Sequence, residues 1–397
     1  MVNYQLYINN VVILNLILLS GSILHVGFFT PLYIISLFIV ILVLILKKKY
    51  KKKNILKLTI TILSFVAFFL INFYLTESTQ FKDYVIIIMQ VFLTSITIIY
   101  LKEFKIDLKY HLYRILYYII TLSLIGFILS QFDLKNNDRL YLGESGYSLN
   151  TILYIFYYSS NEIFGKINIY RNQGIFWEPG ILAIYANIFL YLSLFIYKDK
   201  TKTILATICI LSTLSTTGIF ILILQMFAYL RTKKIGINKK NILYLMILPI
   251  ILFGINSFVN KIKESDEKAY SSYALRSFDL YSGTMIAISN PLFGIGLNEE
   301  SFFKERNKFL TTEMQHIMPQ IEKRGSSNSI LNLFAKFGIL IGVLTIYILF
   351  KQNIFTEKKT LFFLIIILSL FSEPLLFTPF FMLFIILGYQ NQLQIIK

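Results

Sequence analysis

The chain has 397 residues, 56% of them hydrophobic and 15% charged, with a formal net charge of +17. Its single cysteine, Cys209, and three scattered histidines, His25, His111 and His316, exclude an intrachain disulfide and leave no spacing expected of a protein metal site. The positive charge is concentrated in short segments between apolar runs, at 47–53, 102–114, 198–202 and 231–240, without the aromatic-interleaved patch of a nucleic-acid groove.

That distribution is the positive-inside pattern of cytoplasmic loops beside anionic lipid. The first 46 residues carry no Lys, Arg, Asp or Glu. A bilayer core of about 30 Å takes about 20 apolar residues per helix, so the chain is long enough for many crossings. No basic n-region or A-x-A site precedes the first apolar run, which is expected to remain as an anchor.

Placing 47–53 in the cytoplasm orients the remainder. Residues 8–28 and 30–46 are expected to form a hairpin about Thr30-Pro31, with the N-terminus inside. Residues 57–75 run outward, 84–101 return, and 115–132 run outward again. A polar external stretch at 133–170 precedes an inward crossing at 175–197. Residues 203–230 have basic flanks on both sides and are short for two spans. They read either as two short helices meeting at Ser215-Thr216-Thr217-Gly218, whose small residues let backbones approach, or as one long tilted helix. Residues 242–258 run outward into a segment, 260–326, in which nine basic residues balance nine acidic ones. That neutrality fits an external location. Residues 327–350 cross inward, and 360–390 form a last hairpin at Ser372-Glu373-Pro374. The expected fold class is an all-α polytopic membrane protein of about twelve helices, forming a single membrane domain over residues 1–397. One large external loop, 260–326, falls between the ninth and tenth helices, and both termini are cytoplasmic.

Three places carry ionisable or polar groups where apolar helices begin, and such groups are costly enough to be functional candidates. The first is Arg171-Asn-Gln-Gly-Ile-Phe-Trp177-Glu178-Pro179-Gly180. Pro179 suits the first position of a helix. Glu178 then either caps that helix or acts as a base, and Arg171 either reaches lipid headgroups or binds an anion. The second runs from Ser272-Tyr-Ala-Leu-Arg276-Ser-Phe-Asp279 to Asn290-Pro291-Leu-Phe-Gly294-Ile-Gly296. No Gly-Lys-Ser/Thr follows, so this is not a nucleotide P-loop. Gly294 and Gly296 fit an unusual backbone turn beside a ligand, and Arg276 reads as a ligand contact or a solvated charge. The third is Ser327-Asn328, where capping is the simpler role of each residue. Asn328, Asn332 and Lys336 follow at i, i+4 and i+8, a polar stripe expected to face a cavity or another helix.

In this order, Arg171…Glu178-Pro179, Ser215-Thr-Thr217-Gly218, Arg276, Asn290-Pro291-Leu-Phe-Gly294-Ile-Gly296 and Ser327-Asn328 resemble the superfamily of O-antigen ligases and Wzy-type O-antigen polymerases. The resemblance covers residues 165–350. It implies a metal-independent inverting glycosyltransferase, without a cofactor, in the bacterial cytoplasmic (inner) membrane. Its substrates are undecaprenyl-diphosphate-linked oligosaccharides, and a chain-length regulator protein is a further partner. By the resemblance Arg171 and Arg276 hold the donor diphosphate, and Glu178, read from its position as the candidate base, completes the expected catalytic set. Thr217, Gly294, Gly296, Ser327, Asn328 and Asn332 are the expected substrate-binding residues. Ligases of this superfamily commonly carry His-Asn where this chain has Ser327-Asn328, which favours a polymerase of repeat units over a ligase. His316 is an alternative to that histidine. A lipid-linked oligosaccharide flippase is the reading from another class, but the chain lacks the repeat symmetry common in transporters.

Overall fold

The computed structural model describes residues 2–24, 35–36, 39–43, 51–76, 81–131, 139–142, 147–153, 155–163, 167–232, 272–310 and 326–395. Helix α1 spans Val2–Leu18, α2 Lys52–Leu75, α3 Lys82–Glu103 and α4 Leu108–Gln131. Four strands follow: β1 Arg139–Leu142, β2 Tyr147–Ile152, β3 Phe156–Ile163 and β4 Ile167–Gly174. Helix α5, Pro179–Tyr191, continues as a π-helical turn, Leu192–Ile196, and leads to α6 Lys200–Ser212 and α7 Thr216–Thr232. Then come α8 Ser272–Ser289, α9 Glu299–Asn307 and α10 Ser329–Phe337. The last helices are α11 Ile339–Phe350, α12 Lys359–Ser372 and α13 Pro379–Ile395.

The described residues are mostly helical, and four helices are long and apolar enough to cross a bilayer: α2, α3, α4 and the continuous stretch Pro179–Ile196. Shorter apolar helices lie in α1, α7, α11 and α12. The chain is a membrane protein. Helix α2 is only 17% buried over its apolar window and presents Leu56, Leu63 and Ile71 outward, whereas Pro179–Ile196 is 89% buried. The Thr30-Pro31 turn, the expected crossing at 242–258, His25 and His316 lie outside the described residues.

Three local expectations are corrected. Residues 133–170 were read as a polar stretch in an all-α chain, but their described part, with β4, folds into an antiparallel sheet of order β1-β2-β3-β4. The reason is local: short runs rich in Tyr, Phe, Ile and Thr suit a pleated surface and are separated by polar residues that suit turns. The first helix stops at Leu18, short of residue 28, because Gly21 takes a φ of 127° and Ser22 pairs as a β-bridge with Phe176. The expected crossing at 327–350 is broken into α10 and α11 by Gly338, at a φ of 83°. By contrast, residues 203–230 do form two helices, α6 and α7, with Leu214 at a φ of 51° between them.

The chain divides into two compact units. The first comprises Met1–Leu32, Asp107–Asn260 and Phe355–Ser369. In it α4 packs against α1, β4, α5 and α6, and α5 packs against both α6 and α7. The contact of α5 with α7 is close because Gly218 has no side chain: a Cβ there would lie 2.6 Å from Ala183 Cβ. Asn187 on α5 is fully buried and donates from Nδ2 to Gly218 O at 3.1 Å, while Gln225 Nε2 donates to Asn187 Oδ1 at 2.9 Å. His111 on α4 sits 3.4 Å from Asn9 Nδ2 and 2.7 Å from Asn10 Oδ1, a polar tie to α1.

The second unit comprises Tyr33–Ile106, Lys261–Ile354 and Leu370–Lys397. Here α3 packs against α2 and α13, α13 against α11, and α8 against α10 and α9. Thr94 on α3 points its hydroxyl at Pro379 O of α13, and Lys102 Nζ donates to Gln390 Oε1 at 2.6 Å.

Substitution Gly218→Leu should force α5 and α7 apart. The expected loss is about 1–3 kcal/mol, as for overpacked cores, read as a lower unfolding midpoint of the purified chain in detergent. A midpoint equal to wild type would mean that the two helices do not meet at this glycine.

Candidate functional site

In the first unit, Arg171 lies near the end of β4 and is half-buried. Its Nε donates to Thr213 O at 3.0 Å. Beside it, buried Asn172 donates from Nδ2 to Ser212 Oγ at 3.0 Å and accepts at Oδ1 from Gly174 N at 3.1 Å. Strand β4 is therefore tied to the break between α6 and α7, where Ser212, Thr213 and Ser215 are buried. A helix end leaves carbonyls without partners, and the Arg171 guanidinium supplies a donor to one of them. Gly174, at a φ of 58°, then redirects the chain toward α5. Trp177 packs on Ile23 and Tyr157 instead of standing apart as a lone interfacial anchor. Burial pushes the Tyr157 phenol up.

Glu178 occupies the N-cap position of α5 with an extended backbone, and Pro179 begins the helix as expected. Its side chain makes no capping hydrogen bond. The carboxylate is half-buried and sits beside the positive end of the α5 dipole. Thr217 is half-buried in the first turn of α7.

In the second unit, Arg276 lies on α8, and its Nη2 is 3.7 Å from Glu373 Oε1. The arginine side chain is 39% exposed and the glutamate 2%. One turn along α8, Asp279 pairs with Arg306 of α9, and both side chains are buried. The second carboxylate oxygen of Asp279 accepts from Ser327 N at 2.9 Å and from Ser327 Oγ at 2.7 Å. The next residue, Asn328, caps α10 by accepting from Ile330 N and Leu331 N at 3.0 Å each. Ser329 then donates its hydroxyl to Glu373 O at 2.6 Å and accepts from Leu376 N at 3.1 Å. Arg276, Asp279, Ser327, Ser329 and Glu373 thus form one connected set.

The polar stripe on α10 divides by role. Asn328 is a cap, and Lys336 donates to Glu299 Oε1 of α9 at 2.8 Å. Asn332 lies between them with a buried Oδ1 that accepts no hydrogen bond among the described residues. The stripe faces helix α9 at its far end, as expected for polar residues turned from lipid. Gly294 and Gly296 do take left-handed conformations, at φ of 67° and 79°. Their surroundings are specific: Ile295 N and Gly296 N donate to Ala335 O and Lys336 O at 3.0 Å each, so the loop caps the end of α10. On its other side the loop is anchored by Tyr84, whose Oη accepts from Leu297 N at 3.1 Å and donates to Asn72 Oδ1 at 2.8 Å.

Arg276 and Ser327-Asn328 are thus brought into one cluster in the second unit. Gly294 and Gly296 sit at the opposite end of α10, where they serve the backbone. Arg171, Glu178 and Thr217 belong to the first unit. Sequence reasoning missed Glu373, Asp279 and Arg306. Glu373 left a signal, since it is the sole charged residue between Lys359 and Lys397. Asp279 lies three residues after Arg276 and so on the same helical face. Arg306, among the many charges of α9, gave none.

Removing one partner of a buried ion pair leaves an uncompensated charge, so Asp279→Ala should destabilise the chain by about 3–5 kcal/mol. Asp279→Leu combined with Arg306→Met should recover most of that loss in detergent unfolding, and equal midpoints for single and double variants would contradict the pairing. No protein-family model matches this chain, and no curated protein matches it.

Proposed function

We propose that this protein is a polysaccharide repeat-unit polymerase of the bacterial cytoplasmic membrane, a metal-independent inverting glycosyltransferase acting at the outer face. The donor is a growing glycan on undecaprenyl diphosphate, and the acceptor is a single lipid-linked repeat unit. The proposal keeps about twelve crossings and cytoplasmic termini, by the positive-inside distribution of the short basic segments. The ordered motifs from Arg171 to Asn328 support it.

The observation that carries the reading is Arg276. It stands on a helix of a membrane protein, with a guanidinium 39% exposed and 3.7 Å from its carboxylate partner. At that separation the pair is an ion pair without a hydrogen bond, and the exposed edge is open to an oxyanion. A planar guanidinium binds phosphate oxygens in bidentate fashion and stays charged in a dry site.

In the proposed reaction an acceptor hydroxyl attacks the anomeric carbon of the donor sugar. A new C–O bond forms as the bond to lipid diphosphate breaks, and the diphosphate leaves with the electron pair. The hydroxyl proton passes to a base, for which Glu178, a half-buried carboxylate at the start of α5, is the candidate. Arg171 and Arg276 are each assigned to the diphosphate. Thr217, Ser327, Asn328 and Asn332 are assigned to the sugars and the lipid carrier.

Loss of a charge-assisted hydrogen bond of about 1.5–3 kcal/mol corresponds to roughly ten- to hundredfold in rate. That loss is expected for Arg171→Lys and for Arg276→Lys in purified membranes, and near-normal chain lengths on glycan gels would count against either assignment. Glu178→Gln should lower polymerisation by about 10²–10⁴-fold, and full retention in a normally inserted variant removes Glu178 from the base role. In a deletion strain the reading requires single repeat units; long polymer left unattached would instead identify a ligase.

A further inference from the structure

Glu373 is a carboxylate in the turn between two apolar helices, and its side chain is 2% exposed. Burying such a charge is costly without a partner, and the guanidinium of Arg276 lies 3.7 Å from its Oε1. The turn that carries it is held in place. Ser329 Oγ donates to Glu373 O and accepts from Leu376 N, which fastens the turn to the start of α10. The start of α10 is fastened in turn to α8 by Ser327 on Asp279, one helical turn from Arg276. Glu373 therefore approaches Arg276 from a fixed position, through contacts that do not involve Arg276 itself.

We propose that Glu373 is a positioning residue for Arg276, a buried counter-charge that orients the guanidinium and weakens its hold on a bound diphosphate. The identity of the anion rests on the function proposed above; the tuned anion site does not. The separation of 3.7 Å matters here. A bidentate pair at hydrogen-bond length would engage the guanidinium fully, whereas a looser pair leaves N–H donors for the ligand while still opposing its charge. Repeated glycosyl transfer requires such a balance. Each cycle releases one lipid diphosphate from the donor, and an unopposed arginine in a dry site would retain it.

The test uses the purified full-length chain in detergent, with inorganic pyrophosphate as the probe in calorimetry. Glu373→Gln should tighten pyrophosphate binding on the order of tenfold, since it removes one opposing charge near the guanidinium. Arg276→Gln/Glu373→Gln, which removes both members of the pair together, should fold normally and lose that binding. In purified membranes Glu373→Gln should lower kcat severalfold together with KM for the lipid-linked donor, a split that a merely structural role would not produce. Glu373→Asp retains the charge on a shorter side chain and should restore most of the wild-type kcat. It also serves as the test variant if Glu373→Gln does not insert, with an expected modest tightening of pyrophosphate binding.

Unchanged affinity and unchanged kcat and KM in a folded Glu373 variant overturn the proposal, as does a wild-type chain that binds no pyrophosphate. Pyrophosphate binding that responds to Glu373 in a chain with no polymerising activity would leave the tuned anion site standing and remove the polymerase reading. Polymerisation that is indifferent to Glu373 would do the reverse.

Discussion

In a bilayer no water satisfies the amide and carbonyl groups exposed where a helix stops, so each interruption of an apolar helix needs polar partners from elsewhere in the chain. Several polar contacts among the described residues answer that requirement. The break between α6 and α7 is met by Arg171 and Asn172 from β4. The break at Gly338 is met by Pro291 O, which accepts from Ile339 N at 2.7 Å, while the same loop donates to the last carbonyls of α10. The turn after α12 is met by the hydroxyl of Ser329. Interrupted helices are thus the points at which remote segments are joined.

This constraint explains why the motif residues divide between backbone support and chemistry. Asn328 uses its side chain on two amides of α10. Gly294 and Gly296 use their positive φ to bring a loop against carbonyls of the same helix. A side chain or turn committed in this way fixes geometry but contributes little charge to a ligand. The charged residues differ. Arg276 retains an exposed edge, and Asp279 and Arg306 neutralise each other in the interior. The buried pair holds Ser327 and so aligns the start of α10 with α8, and the exposed arginine lies one turn away on that frame. Rigid support beside a partly exposed cation is an arrangement suited to a charged ligand.

The membrane character was legible throughout, because apolar runs and the placement of lysines and arginines depend only on local composition. The α6–α7 break was legible for a related reason: Ser215-Thr-Thr-Gly218 gathers small and hydroxyl residues where flanking charges demanded a discontinuity. The sheet was not anticipated. Its strands are short and polar enough to resemble an external loop, and their stability comes from pairing with one another and from packing β4 along α4, both non-local. The split at Gly338 was hidden because a glycine is common in membrane helices. What meets the helix there is a loop 46 to 47 residues earlier in sequence, pressed against that glycine through Leu292 and Pro291.

Glu373 shows where sequence reasoning weighed the wrong feature. The hairpin expected at Ser372-Glu373-Pro374 accounts for a turn there but assigns no role to the acid. An ionisable residue isolated in a long apolar run is itself the stronger signal, since it survives there only with a partner. The partner, Arg276, had been singled out in isolation, and alone it was as easily a solvated charge as a ligand contact. Together the two residues bear on each other: the buried glutamate lies 3.7 Å from the arginine, and the loose pairing leaves the arginine partly exposed. In this geometry Arg276 stands on a helix with its guanidinium 3.7 Å from a buried carboxylate and 39% of its side chain exposed.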